Sequence, residues 1–225
     1  SVMTTLTEFI APPPGITTTI AWSLGGETTY AFEGNILSSA SILPWTATLL
    51  GVADVESLLN LAQAVPHTNG VSLVPAHVGL GSPYWNSEAR GLITGLSFGS
   101  EPAHIARAAA QSIALQVHDV FTIMKDAATG IGHLSVDGGP SKNTFLMQMV
   151  ADYLDHSITP CQNAEVSALG ASYLAGLAIG FWQDLGEISC LVRHGAEIRP
   201  ALDAKARDDE LDIWRKAIAR TIVSV

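Results

Sequence analysis

The sequence has few charged residues, and basic side chains are the scarcest. Only 14% of its 225 residues are charged, and 21 acidic against 11 basic side chains give a formal net charge of −10. This acidic balance argues against nucleic acid or a membrane surface as the main partner. A nucleotide is still compatible with it, because backbone amides and helix ends hold phosphate without a basic patch.

Cysteine is also sparse, with Cys161 and Cys190 as its two occurrences. Neither belongs to a CxxC pair or lies near metal-spaced histidines, so we assign no metal ligand. Two free thiols in a reducing compartment are the simplest interpretation, and a single disulfide is the alternative. Residues 1–7 lack the basic region and long apolar core of a signal peptide. We therefore expect a cytoplasmic protein.

The sequence also lacks a convincing membrane span. The run from Val166 to Trp182 is free of charge but rich in Ala, Gly and Ser, and it falls short of the roughly 20 apolar residues that cross a bilayer. Its flanks, Glu165 and Asp184, are acidic rather than basic. We predict a helix buried on all sides of a globular protein, and no membrane partner.

Hydrophobic residues make up 48% of the chain, which is enough for a sizeable core. Strands are predicted at residues 1–6, 17–22, 28–32, 73–78, 91–96, 133–136 and from Ile158. Helices are predicted at residues 36–50 with a disturbance at Pro44, at 55–64, from an N-cap at Ser100, after the strand at 133–136, at 166–182 and at 203–225. This order indicates one α/β domain over residues 1–225, with a mixed β-sheet flanked by helices on both faces.

Residues 134–143, Leu-Ser-Val-Asp-Gly-Gly-Pro-Ser-Lys-Asn, form the most informative segment. An alternating apolar run ends on Asp137, and Gly138 and Gly139 lead into a helical pattern. A strand, a glycine turn and a helix start bring backbone N–H groups to the positive end of a helix, which suits an anionic or polar ligand. Taken alone, the motif is also compatible with a tight turn that binds nothing.

Five ordered segments resemble the FGGY carbohydrate kinases, the family of glycerol kinase and xylulokinase. Residues 136–148 are similar to the family's adenosine-binding segment. Residues 18–34 resemble its second-domain hairpin, and residues 74–85 resemble its Gly-x-x-x-Pro-Tyr-Trp loop. Residues 91–111 resemble its second signature, and residues 168–176 resemble its Ala-Leu-Gly-Ala helix. Ala110 departs from the family, which usually has a larger apolar residue there. The resemblance implies an actin-like ATPase (ribonuclease H-like) domain.

The resemblance further implies the nucleotide-binding half of an ATP-dependent kinase that phosphorylates a hydroxyl of a polyol or ketose, with ATP and Mg²⁺ as cofactors. The family's general-base Asp would precede Ser1, and the sugar-binding N-terminal domain would lie outside this sequence. We therefore expect no catalytic residue here and no phosphate transfer by this chain alone. We expect the full-length protein to form a homo-oligomer, namely a dimer.

The resemblance also assigns nucleotide-site residues. Gly138 and Gly139 would let the backbone approach the nucleotide, and Asn143 would contact the adenine ring. Asp137 would orient the turn or reach a metal-bound water, and the alternative is a carboxylate that caps neighbouring amides.

Two positions depart from the family. Ala40 and Pro44 stand where it has a Gly and a Gln, and Pro44 cannot form the hydrogen bonds of a Gln. Glycerol kinases usually keep that pair, so the departure argues for another branch of the family. It also supports an alternative, a nucleotide-sensing pseudokinase or regulatory module. A different actin-like enzyme, such as a hexokinase or acetate kinase, is disfavoured by the Ala-Leu-Gly-Ala helix and the Pro-Tyr-Trp loop.

Four weaker candidates are expected to be structural: His77, His104, Tyr84 and Trp85. The alternative for Tyr84 and Trp85 is a role in the cleft. Arg90 would meet phosphate, the first domain or a surface carboxylate.

Overall fold

The computed structural model describes residues 1–128, 131–163 and 165–222. Its strands are β1 (Val2–Leu6), β2 (Thr17–Leu24), β3 (Glu27–Gly34), β4 (Ser72–Val74), β5 (Leu92–Thr94), β6 (Leu134–Val136) and β7 (Ile158–Pro160). Its α-helices are α1 (Ile42–Leu50), α2 (Val55–Gln63), α3 (Pro102–Ala127), α4 (Thr144–Leu154), α5 (Val166–Ala178), α6 (Leu185–Ser189) and α7 (Ala204–Ile222). The predicted end of the last helix, residues 223–225, lies outside the described residues.

The chain divides into two compact units. One contains Ser1–Ile131 with Leu202–Val225, and the other contains Gly132–Ala201. The strands are paired within the units as a three-stranded antiparallel sheet, β1-β3-β2, an antiparallel pair, β4-β5, and a parallel pair, β6-β7. The mixed α/β class predicted from the sequence is confirmed, and the described strands form three small sheets in place of one large one.

The β2–β3 hairpin forms as predicted, around Gly25 and Gly26. Both glycines have positive φ, at 61° and 89°, which a two-residue hairpin turn favours because its twist matches that of the strands. The sheet packs on helix α3 through a core that includes Phe32, Val120 and Met124. The hairpin therefore owes its position to the same helix that organises the first unit.

Helix α3 begins one residue later than predicted. Its N-cap is Glu101 rather than Ser100, and Pro102 occupies the first helical position, where a missing N–H costs nothing. The Nδ1 atom of His104 accepts a hydrogen bond from the Glu101 amide at 3.0 Å. This bond satisfies a free backbone donor, so His104 has the structural role that we predicted.

Helix α1 was predicted to begin at residue 36, but it begins at Ile42. The apolar Ile36 and Leu37 extended the hydrophobic pattern, yet Leu37 is exposed and lies in the preceding loop. Pro44 consequently falls in the first turn of α1, where backbone N–H groups have no intrahelical partner. It does not interrupt the helix, contrary to the disturbance that we predicted.

In the second unit, α4 connects the parallel strands β6 and β7, with Leu134 opposite Ile158. Its inner face carries the predicted apolar stripe. Helix α5 differs from our prediction, since Gly176 is its one buried residue in the described part of the chain. A Cβ at Gly176 would lie 2.1 Å from the Trp182 ring, so this glycine lets Trp182 pack on the helix. The other described residues of α5 are half-buried or exposed.

Among the described residues, no single helix is long and apolar enough to span a membrane. Helices α1 and α2 pass that test jointly on length and composition, with a bend of 81° between them.

Candidate nucleotide-binding site

The segment that follows β6 forms a tight turn in the second unit. Gly138 has a φ of 87°, which strains any residue with a Cβ. The buried Ser141 closes the turn, because its hydroxyl donates to the Gly138 carbonyl at 2.7 Å and its amide donates to the same oxygen at 3.1 Å. The role of Ser141 was not predicted, although serine hydroxyls commonly bond to a carbonyl three or four residues earlier.

The helical pattern was predicted to begin after Pro140 and Ser141, and the structure has two short steps there. A 3₁₀-helix over Gly139–Lys142 follows the turn, and α4 begins only at Thr144. Apart from Gly139 itself and its two chain neighbours, no described residue has a heavy atom within 4 Å of a Cβ built on Gly139, and its φ is not positive. Neither conformation nor packing within the described residues therefore requires a glycine at position 139.

Asn143 is the N-cap of α4. Its Oδ1 atom accepts a hydrogen bond from the Leu146 amide at 2.9 Å, which satisfies one of the free donors at the helix start. Its Nδ2 atom has no partner in the described part of the chain. The side chain is half-buried, so the amide is held in place by one atom and can donate to a ligand through the other.

Asp137 is exposed at the end of β6, and no described backbone amide donates to its carboxylate. The predicted alternative, a capping carboxylate, is therefore not observed. Burial, together with the negative charge of Asp137, raises the pKa of the Cys161 thiol. Both cysteines are free thiols, as predicted.

A cavity of about 340 Å³ lies in the second unit, beside the end of β7. Cys161, Gln162 and Asn163 line one part of it, and Val166 and Tyr173 of α5 line another. Cys161 is also bonded to the strand that leads into the turn, since its amide donates to the Val136 carbonyl at 2.8 Å.

Ala40 and Pro44 lie in the first unit, at the start of α1. The Ala40 carbonyl accepts a hydrogen bond from the Leu43 amide at 3.1 Å. Pro44 is exposed, and its carbonyl accepts the hydroxyl of Thr48 at 3.0 Å. Proline has no N–H and no polar side chain, so this position can offer a ligand no hydrogen-bond donor.

Tyr84 of the Pro-Tyr-Trp loop belongs to a half-buried polar cluster in the first unit. Its hydroxyl donates to Asp119 Oδ2 at 2.8 Å, and Trp214 Nε1 of α7 donates to the same oxygen at 2.7 Å. Burial and the charge of Asp119 hold the pKa of Tyr84 well above its ordinary value of 10.0. The cluster joins the loop, α3 and α7, which confirms the structural role predicted for Tyr84.

Trp85 and Arg90 also bond to the backbone. Trp85 Nε1 donates to the Gly15 carbonyl at 2.9 Å. Arg90 Nη1 donates to the carbonyls of Ser87 and Ala89, each at 2.9 Å. Among the described residues, Arg90 forms no ion pair with a carboxylate, and its contact with phosphate or with the first domain stays a prediction. Trp85 anchors its loop.

The described residues contain no group of three or more His, Cys, Asp or Glu side chains that could hold a metal ion.

The chain is similar to known kinases over nearly its whole length. The FGGY family of carbohydrate kinases, C-terminal domain, matches residues 1–179. A glycerol kinase of Staphylococcus epidermidis is 42% identical over 99% of this chain, which covers 45% of that protein's length. A glycerol kinase of Dechloromonas aromatica is also 42% identical, over 91% of this chain, which covers 41% of that protein's length. The chain thus spans less than half of the curated relatives that it matches.

Solved structures agree with this match. A glycerol kinase of Plasmodium falciparum with ADP has a TM-score of 0.82 and 32% sequence identity to this chain. The match covers 93% of this chain and 42% of the kinase. A xylulose kinase of Lactobacillus acidophilus has a TM-score of 0.82 and 20% identity, covering 97% and 44%. The predicted actin-like fold is confirmed, and the chain belongs to the FGGY family of carbohydrate kinases, whose C-terminal domain it matches.

Proposed function

We propose that this chain is the nucleotide-binding half of an ATP-dependent kinase that phosphorylates a hydroxyl of a small polyol or ketose. The observation that carries the proposal is the turn from Asp137 to Asn143. Among the described residues, the space beside Gly139 is open and the Asn143 Nδ2 donor has no partner. The 42% identity to glycerol kinases makes glycerol the first candidate substrate, ahead of xylulose.

The adenosine part of ATP fits the open side of this turn. Gly139 has no conformational or packing need for glycine, whereas a Cβ there would occupy the space that a nucleotide needs to approach the backbone. Asn143 Nδ2 would donate to a ring nitrogen of adenine while Oδ1 keeps the helix cap. The cap fixes the side chain before the ligand arrives, which lowers the entropic cost of binding.

Magnesium would arrive with the nucleotide. Mg²⁺ usually keeps several waters and binds phosphates with one or two carboxylates, and Asp137 is an exposed carboxylate at the turn. When bound, the ion would neutralise charge on the phosphates during transfer.

We place the general base and most of the sugar site in a second domain outside this sequence. Helix α5 supports this proposal. Val166 and Leu174, and Ile179 at its C-terminal end, have exposed apolar side chains that a further domain would cover. The expected cytoplasmic location and dimeric state of the full-length protein remain proposals.

The test is an ATP-consumption assay on the full-length gene product with glycerol, xylulose, ribulose and gluconate. We expect turnover with one of these substrates, and glycerol as the best. ATP binding with background turnover across the panel would contradict the kinase proposal. That result would favour the alternative, a nucleotide-sensing pseudokinase or regulatory module. Pro44 supports this alternative, because proline cannot form the hydrogen bonds of the Gln that the family has at this position of α1.

A further inference from the structure

A second cavity lies in the first unit, formed by different elements from those of the turn. It has a volume of about 480 Å³, within the range of small-molecule sites. Its apolar floor comes from the strand pair, through Leu73 and Val74 of β4 and Leu92 and Ile93 of β5. We call this cavity the Trp45 groove.

Two aromatic rings form one wall of the groove. The Trp45 indole and the His77 imidazole meet edge to face, with ring centroids 4.4 Å apart. Trp45 is nevertheless 40% exposed, which is a large fraction for an indole. The His77 ring lies over Gly91, where a Cβ would come within 3.2 Å of the imidazole. The absence of a side chain at Gly91 therefore leaves room for the His77 ring beside Trp45.

Arg90 supplies the charge at the groove. Both of its hydrogen bonds use Nη1, so Nε and Nη2 have no partner within the described part of the chain. The two carbonyl bonds hold the guanidinium without neutralising it. Its remaining donors suit a carboxylate, which a guanidinium can bind through two parallel bonds.

The charge at the groove is the opposite of that of the chain. The chain has 21 acidic and 11 basic residues, yet the described residues that line the groove include Arg90 and no carboxylate. An anion would thus escape the repulsion that it meets elsewhere on this surface. An indole beside an apolar floor favours a planar, apolar body on the same ligand.

We propose that the Trp45 groove binds a small organic anion, an aromatic ring that carries a carboxylate. The ring lies along Trp45 and the β4–β5 floor, and the carboxylate accepts from Nε and Nη2 of Arg90. The residues that line the groove all lie in the first unit, whereas the turn from Asp137 to Asn143 belongs to the second.

The test uses the 225-residue chain with ¹⁵N-labelled tryptophan, whose five indole N–H signals report on separate places. Trp45→Phe assigns the relevant signal. With 2-naphthoate as the probe, we expect a saturable shift of the Trp45 signal and nuclear Overhauser contacts from naphthoate protons to that indole. The neutral isostere 2-naphthalenemethanol should bind about tenfold more weakly, because it forms no charge-assisted bond.

Variants locate the anion. Arg90→Met should weaken naphthoate binding about tenfold, to the level of the alcohol. Arg215→Met removes an exposed guanidinium of α7 that is not a groove residue, and Asn143→Ser alters the nucleotide turn; both should leave naphthoate affinity unchanged. The proposal is overturned by a Trp45 signal that does not move, by equal affinity for acid and alcohol, or by equal affinity in wild type and Arg90→Met. Should Arg90→Met fail to fold, the wild-type Overhauser contacts and the acid–alcohol comparison still decide.

Discussion

The Oδ1 and Nδ2 atoms of Asn143 have different roles, and substitutions can separate these two roles. Serine is as good an N-cap as asparagine but has no amide N–H. Asn143→Ser should therefore keep the free energy of unfolding and weaken ATP binding about tenfold. Asn143→Ala should lose the cap as well, and lower the free energy of unfolding by about 1 kcal/mol.

Isothermal calorimetry with ATP and urea denaturation measure the two effects. Equal ATP affinity in the wild type and both variants would remove Asn143 from the nucleotide site, whatever the stability data show.

The two glycines of the turn should respond differently to the same change. Gly138→Ala forces a Cβ into a φ of 87° and should lower the free energy of unfolding by about 1 kcal/mol or more. Gly139→Ala meets no described atom and should leave stability unchanged while it weakens ATP binding. Thermal unfolding and ATP titration of both variants check this contrast. Undiminished ATP affinity in Gly139→Ala would show that the space beside Gly139 is not used.

Pro44→Gln tests whether the start of α1 contributes to the nucleotide site. Position 44 lies in the first helical turn, where proline and glutamine are both tolerated, so stability should change little. The family resemblance implies a nucleotide contact at position 44, and a Gln side chain would supply a donor and an acceptor there, so ATP affinity should rise by up to about tenfold. Thr48→Gln, one turn further along the exposed side of α1, is the matched control. An unchanged affinity in Pro44→Gln would exclude this helix from nucleotide contacts.

At the scale of elements, Asp119 couples the Pro-Tyr-Trp loop to α3 and α7. The pKa of Tyr84 is raised by burial and by the charge of Asp119, so folding favours the neutral phenol. Its contribution to stability is fully present below about pH 10, the unfolded pKa, and is lost as the pH rises further.

We expect the free energy of unfolding to fall more steeply between pH 9 and 11 in the wild type than in Tyr84→Phe, which has no phenol to ionise. Urea denaturation at half-unit steps measures the difference, and Tyr30→Phe in the hairpin is the control. Parallel pH profiles for wild type and Tyr84→Phe would show that the Tyr84–Asp119 bond does not persist in solution.

Local signals explain why most elements were predictable. The paired glycines before β3 and the proline at the start of α3 act within a few residues, and the structure has both features where the sequence put them. The Tyr84–Asp119–Trp214 cluster was not predictable, because its partners are 35 and 95 residues apart and no repeating pattern links them. The start of α1 was missed because apolar residues in the preceding loop imitate a continued helix.

At the scale of the whole molecule, the candidate site was only partly predictable. The turn at Gly138 and Gly139 followed from strand, glycine and helix patterns within ten residues. The positions Ala40 and Pro44, about a hundred residues earlier, came from resemblance alone, since no local pattern relates them to the turn. The prediction for α5 was wrong for a related reason: an apolar sequence indicates that a face will be covered, but not by which chain segment.

Helix α5 therefore provides the last prediction. Leu174 is 38% exposed in this chain, so Leu174→Lys should leave the unfolding free energy of the 225-residue chain within about 0.5 kcal/mol of wild type. In the full-length protein, where a second domain would cover this face, a buried unpaired lysine should lower the stability by several kcal/mol and reduce turnover.

Thermal unfolding and ATP-consumption assays on both lengths measure these effects, with the exposed Ala206→Lys on α7 as a control. The 225-residue chain itself should bind ATP weakly and transfer no phosphate. Turnover by it would place the general base within this sequence, and an equally stable, fully active full-length Leu174→Lys protein would show that no domain packs on α5.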